Sequence, residues 1–362
     1  MTKLNISDKR LTKLPTKIAK YTNLTELYCS NNLLNNLDIS KPIKRFYHSK
    51  KHFNTITYLP TTLKLLDCSQ NVLSELNNLP IALETLYCQE NNIHSFDNLP
   101  PTLKKLSCGE NNFTTLDNLP LELDVLHCSH NYINSLDYLP PTLKELYCNN
   151  NDITYLDNLP LTLKVLNCSH NKISCLDNLP PALEELHCSY NKLAELNNLP
   201  PYLQILNCSY NNITSLDTLP PTLHILNCSY NKLSSLNKLP PALQILYCNN
   251  NKITILDNLP PRLEVLDCCF NKITSLMHLP TTLKVLLCSN NNIKYLDNLP
   301  PTLKAMDCWN THVVVLDNLP HTLTKLECNL NTLHHFPKNF KIKYNYDYSM
   351  IHHYRYKIKY IL

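Results

Sequence analysis

The chain has 362 residues and a formal net charge of +4, and it contains no run of eighteen apolar residues, which excludes a membrane-spanning helix. Its charge is uneven: residues 1–60 carry 11 Lys or Arg against 3 acids, residues 61–336 carry 16 against 25, and residues 337–362 carry 6 against 1. An acidic body between basic ends argues against nucleic-acid binding along the whole chain.

Residues 1–60 are the least regular part and read as an N-terminal cap with irregular repeats. The opening stretch alternates charged and apolar residues and lacks the apolar core of a signal peptide, so an intracellular location is expected. Residues 4–18 look like half a structural unit. Leu24, Leu27, Cys29, Asn32, Leu34 and Leu37 form a complete one, and Ile43, Phe46 and His48 form a worn one.

From Pro60 the dipeptide Leu-Pro recurs every twentieth residue through Pro320, in fourteen copies without insertion or deletion. Such a period marks a stack of identical supersecondary units, so residues 61–336 are expected to form one regular repeat solenoid. In the first full unit the apolar positions are Leu63, Leu66, Cys68, Leu73, Leu76 and Leu79, with Asn71 after the cysteine. The alternation over residues 65–69 predicts a strand with Leu66 and Cys68 facing the core and residues 65, 67 and 69 facing out. Pro80, often followed by a second proline, predicts an extended or polyproline-like return, with single 3₁₀ turns at most. Successive strands then run parallel in one long curved sheet, and the coil is right-handed.

With Gly109 as the only glycine, the tight turns are expected to run through Asn, Asp and Pro. The column Asn71, Asn91, Asn111 and onward to Asn291 stands where each strand ends. An amide there donates and accepts at once, so its role is structural. Fourteen of the 17 cysteines, Cys68 through Cys328, occupy one inward column. A single file offers neither the opposed geometry of a disulfide nor a converging zinc cage, so these thiols are expected to act as small buried hydrophobes in a reducing compartment. Cys269, beside Cys268, is expected to face solvent. No metal, cofactor or small-molecule substrate is expected. The scattered histidines form no nucleophile–base pattern, so the chain is expected to be non-enzymatic.

The outward columns read as a binding surface. One becomes aliphatic at Val165, Ile205, Ile225, Ile245, Val265 and Val285. A second carries Tyr87, His127, Tyr147, His187 and Tyr247. A fourth carries His130, His170, Tyr190, Tyr210, Tyr230 and Phe270, with Trp309 nearby in the third. Tyr and Trp dominate binding hot spots, so the candidate partner-binding residues are Tyr147, His187, Tyr190, Tyr210, Tyr230, Tyr247, Phe270 and Trp309. The competing reading is that stacked rings only stabilise one another along the ladder. Residues 337–362 are basic and Tyr-rich, with apolar residues alternating at Phe340, Ile342, Tyr344, Tyr346 and Tyr348 and again at Tyr354, Tyr356, Ile358 and Tyr360. They read as a C-terminal cap over the last core face, or alternatively as a segment that touches nucleic acid or a membrane surface.

The spacing L-x-x-L-x-C-x-x-N-x-L matches the leucine-rich-repeat pattern with Cys in place of the third Leu. With its leading Leu-Pro, the unit resembles the twenty-residue leucine-rich repeats of type-III-secreted bacterial effectors. The cysteine column and the Asn-, Lys- and Ile-rich composition look more like leucine-rich-repeat proteins of giant viruses such as Mimivirus. The resemblance implies a solenoid that binds a protein partner along a concave sheet face, in a host cytoplasm, or else a structural component of a viral particle. The ubiquitin-ligase activity of some effectors is not carried over, because it needs a further domain with a catalytic cysteine and no cysteine follows Cys328.

Overall fold

The structure is a computed structural model that describes residues 1–40, 56–57, 59–316 and 318–328. It has two compact units, Met1–Lys172 and Ile173–Leu362, each a repeat solenoid built on eight parallel strands. In the first unit, Lys3–Asn5 pairs with Glu26–Tyr28 and this with Leu65–Asp67. Each strand then pairs with the one twenty residues on, as far as Val165–Asn167. In the second unit the same rule runs from Glu185–His187 to Lys325–Glu327. Register is identical throughout, so each side chain lies beside its own copy in the next repeat. A one-residue slip would turn Leu66 and its equivalents out of the core.

The core is the expected one: Leu63, Leu66, Cys68, Leu73 and Leu76 are buried with their equivalents, and Leu79 is half-buried above a buried Pro80. Two expectations need correction, on the extent of the strand and on the left-handed turns. The strand covers only Leu65–Asp67, although the ladder continues through Cys68 N–H to Tyr87 O and Gln70 N–H to Gln89 O, both at 2.8 Å. The return begins with a single turn of the kind the sequence allowed. Leu63 N–H donates to Pro60 O at 3.1 Å, and the same turn recurs in every later copy. A second proline, as at Pro141 or Pro201, therefore occupies the second position of a β-turn, where its fixed φ is favourable.

The left-handed turns are also only partly those expected. Each repeat bends at one such residue just after the strand and commonly at another near its end. The later position is usually Asn, as at Asn118, Asn158 and Asn258, with φ from 57 to 61°. The earlier position holds Gln70, Glu90, His130, Tyr190, Tyr210, Tyr230 or Phe270, at φ 52–56°. A non-glycine residue there costs on the order of 1 kcal/mol, and the hydrogen bond from its N–H to the next repeat holds it in place. Gly109 adopts no positive φ; a Cβ there would stand 3.0 Å from Ser129 O.

The expected half unit at residues 4–18 overlaps the strand Lys3–Asn5 and a 3₁₀ turn, Thr16–Lys20, whose Ile18 is buried. The strand Glu26–Tyr28 pairs directly with Leu65–Asp67. The chain leaves and rejoins through a short antiparallel pair, Ile39–Ser40 with Ile56–Thr57. Ile43, Phe46, His48 and the proposed cap at 337–362 lie outside the described residues.

The asparagine column is what joins one repeat to the next. Asn211 Nδ2 donates to the carbonyls of Cys188, Cys208 and Ser209 at 3.0, 3.1 and 3.1 Å. Its Oδ1 accepts Leu193 N–H at 2.9 Å. Asn32 holds the cap similarly, bonding Ile6 O, Cys29 O and the N–H groups of Lys9 and Leu11. The cysteine thiols run alongside, donating from Cys108 to His127 O and from Cys228 to Tyr247 O at 3.4 Å. Burial pushes Cys128, Cys168 and Cys208 up to about 12.

Asn211→Ala should lower stability by about 3 kcal/mol, because it strands several buried backbone groups. Asn211→Asp keeps the acceptor for Leu193 N–H but loses the donors, and should cost a comparable amount. Urea unfolding checks both, and a loss below about 0.5 kcal/mol for either would refute the bridging role. Titration with a thiol reagent at pH 8 should find Cys175 promptly and Cys328 slowly, since burial raises Cys328 to about 11 and leaves little thiolate. The other cysteines should react only after unfolding.

Candidate interaction surface on the outer face of the sheet

The first, third and fifth residues of each 65–69 segment point away from the core, and parallel in-register pairing turns them into columns. In Met1–Lys172 the notable pair is His127 and Tyr147, which are register partners. Their rings stack at 4.1 Å with planes 6° apart. Tyr147 Oη donates to Glu145 Oε2 at 3.3 Å. Burial pushes the His127 imidazole below its ordinary range, although Glu145 pulls the other way, so the stack is neutral at pH 7. Tyr87 stands partly exposed two strands away.

In Ile173–Leu362 two columns run across the strands, separated by the columns of Asn207 and Ser209. Ile205, Ile225, Ile245, Val265, Val285 and Ala305 pair in sequence as an aliphatic stripe. Tyr190, Tyr210 and Tyr230 stack at 3.9 and 4.0 Å, with planes 11 and 10° apart. These tyrosines stand on the left-handed turn that follows each strand, not on the strand itself as expected, and the turn lets the rings pile up at the strand spacing. Burial within the pile, with the hydroxyls of Tyr190 and Tyr230 on either side, raises the Tyr210 phenol well above its ordinary value. Tyr190 and Tyr230 remain 42% and 40% exposed, so the stack still offers ring surface to solvent. Phe270 and Trp309 are exposed as well.

Two of the expected contact residues are not available in that way. His187 and Tyr247 are 7% and 6% exposed. Burial lowers the His187 pKa, so the ring is neutral, and burial together with Asp267 raises the Tyr247 phenol. Cys269 is likewise not the solvent-facing thiol expected. It is buried against Val285, Leu287 and Ala305, and Ser289 Oγ donates to its sulfur at 3.1 Å. Burial and the nearby Asp267 and Asp307 carboxylates hold that thiol strongly protonated. The outer-face position it occupies is small and enclosed in most repeats, as at Ser69, Ser169, Ser209 and Ser289.

Sequence columns missed one cluster, in which Val285, Leu287 and Ala305 close over Cys269 while the carboxylates of Asp267 and Asp307 are buried beside them. The aliphatic run was legible, but its burial was not. Among the described residues no group of three or more His, Cys, Asp or Glu side chains could hold a metal ion. The ion pairs lie on the repeat edge, such as Lys64–Glu84 and Lys284–Glu264 at 2.7 Å, and are too exposed to contribute much to stability.

No family model matches the chain, and no curated protein matches it. Solved structures do. YopM from Yersinia enterocolitica WA-314 superposes with a TM-score of 0.68 at 29% identity, over 94% of this chain and 86% of that one. YopM of Yersinia pestis, described as a leucine-rich effector protein, gives 0.64 at 27%, over 95% and 88%. The functional domain of InlJ from Listeria monocytogenes, which includes a cysteine ladder, gives 0.55 at 26%, over 88% and 75%. With its sixteen parallel strands at a twenty-residue period, the chain has the leucine-rich-repeat solenoid fold.

Proposed function

We propose that the protein is a non-enzymatic scaffold that binds a protein partner on the outer face of its sheet. The observation that carries this reading is the exposed ring stack of Tyr190, Tyr210 and Tyr230, on a unit whose sheet also carries the half-buried aliphatic stripe Ile205, Ile225 and Ile245. Rigid aromatic rings concentrate binding energy at low entropic cost, and the stripe adds apolar area. The stack stabilises the ladder as well; the two roles coexist because only the ring edges and outer faces remain available to a partner. Phe270 and Trp309 offer further exposed rings on this unit, whose His187 and Tyr247 are buried, and Tyr147 is a separate candidate on Met1–Lys172.

Similarity to a leucine-rich effector and to an internalin supports action by binding rather than catalysis. An intracellular site of action belongs to the same proposal. It accords with seventeen free thiols, which a reducing compartment preserves.

The test uses the full chain as bait, comparing the wild type with Tyr190→Ser/Tyr210→Ser/Tyr230→Ser. Ring stacking is worth about 1 kcal/mol per pair, so the variant should remain folded by circular dichroism with a modestly lower unfolding temperature. Partners captured by the wild type should be lost or reduced at least tenfold, an effect of about 1.4 kcal/mol or more. Undiminished capture by the folded variant would sink the proposal.

A further inference from the structure

Charge on Ile173–Leu362 is sorted by position within the repeat. Lys192, Lys232, Lys252 and Lys272 occupy one place, each two residues after a left-handed turn residue, Tyr190, Tyr230, Asn250 or Phe270. All four lysines are exposed. The backbone ladder reaches this far. Lys192, Lys252 and Lys272 donate their N–H to Ile173, Leu233 and Ile253 O at 2.8 Å, and Lys232 donates to Ile213 O at 2.9 Å. Asn212, which fills the remaining place, bonds Leu193 O in the same way. The lysines therefore stand in one row at the strand spacing, about 19 Å from first to last.

Acids are kept out of this row. Segments 188–195, 208–215, 228–235, 248–255 and 268–275 hold these four lysines and a single acid, Glu195. None of the four forms an ion pair among the described residues, and the pairs Lys238–Asp217 and Lys284–Glu264 lie at other places in the repeat. Lys172 of Met1–Lys172 shows what an acid in the row would do. It holds the same place in its repeat, and its Nζ lies 2.6 Å from Oδ1 of Asp152 one repeat earlier. Like charges on neighbouring strands repel, so an unpaired row is a standing cost that an anionic ligand relieves.

We propose that the partner taken by Tyr190, Tyr210 and Tyr230 is an acidic polypeptide segment, whose carboxylates Lys192, Lys232, Lys252 and Lys272 match. This deepens the scaffold reading above and rests on it. Tyr190 and Lys192, like Tyr230 and Lys232, are two residues apart, so their Cα atoms lie within about 7 Å. A segment laid along the row meets ring and ammonium together, and about six extended residues cover it. Charge matching of this kind sets which partner is accepted and how fast it arrives. Nucleic acid fits less well. Single strands bind by stacking bases on open ring faces, whereas these rings close on one another at 3.9 and 4.0 Å. The ring edges left over carry the positive side of the aromatic quadrupole, which also favours carboxylates. Four cations, moreover, neutralise too few phosphates for firm non-specific binding.

The test titrates the full chain against three fluorescein-labelled probes by anisotropy: a peptide alternating Glu and Tyr, one alternating Lys and Tyr, and an oligothymidylate of equal length. The wild type should bind the Glu/Tyr peptide best, and more weakly as salt rises from about 50 to 300 mM. Lys192→Glu/Lys232→Glu/Lys252→Glu/Lys272→Glu should weaken that binding at least about tenfold, whereas the four Lys→Arg changes should keep it within about twofold. Both variants alter only exposed side chains and should keep the wild-type circular dichroism. No binding of the Glu/Tyr peptide, equal binding of the Lys/Tyr peptide, or indifference to the Glu variant would overturn the acidic partner. Tighter binding of the oligothymidylate would assign the row to nucleic acid instead. Self-association that the Glu variant abolishes would assign it to a second copy. The two proposals fail separately. Partner capture lost in Tyr190→Ser/Tyr210→Ser/Tyr230→Ser, with peptide binding indifferent to the lysines, keeps the scaffold and removes its acidic partner. Peptide binding that needs the lysines but not the tyrosines removes the stack as the anchor.

Discussion

No repeat in this chain can satisfy its own backbone. Each leaves one edge of its strand, one carbonyl of its turn and one N–H beyond it to be completed by the next copy, and the asparagine after the strand performs that junction. A residue such as Asn211 gathers its own turn and reaches back to the preceding repeat with a single planar amide. Because one side chain both donates and accepts, neither Asp nor a purely apolar residue can replace it without stranding a buried group. Thr311, which breaks the column, bonds Cys308 O.

The functional surface follows from that constraint. A short strand, Leu65–Asp67 and its copies, is all the outward-facing β-structure each repeat provides, and the chain turns through a left-handed residue three positions later. Asparagine locks the turn from beneath, so the turn residue itself is free to vary, and large rings occupy a backbone region usually left to Gly or Asn. Stacking at the strand spacing then arranges Tyr190, Tyr210 and Tyr230 as a continuous aromatic edge. The same register draws Ile205, Ile225 and Ile245 into an aliphatic stripe. Stability and recognition draw on the same residues here, and what separates them is which atoms remain exposed.

The cysteine column shows how little chemistry a reactive side chain expresses when it is buried. The thiols donate weakly to the neighbouring strand and are held protonated by desolvation, so they behave as small apolar fillers. Cys269 stands on the other face of the sheet, yet it shares this fate through a different cause, enclosure by Val285, Leu287 and Ala305.

The period, the inward set of Leu and Cys, and the asparagine column were legible from residue spacing alone, because repetition imposes one environment on every copy and averages away local ambiguity. The turn chemistry was less legible. A tyrosine at a left-handed position contradicts its own propensity, and only the bonds made by the neighbouring repeat reveal why it is tolerated. Exposure of the outward columns was not legible at all. Val265 and Val285 have the same type and the same place in the repeat, yet one is half-buried and the other buried. His187, Tyr247 and Cys269 were misjudged for the same reason. Local spacing dictates which way a side chain points. What lies on top of it depends on groups distant in the chain, and that belongs to the tertiary structure alone.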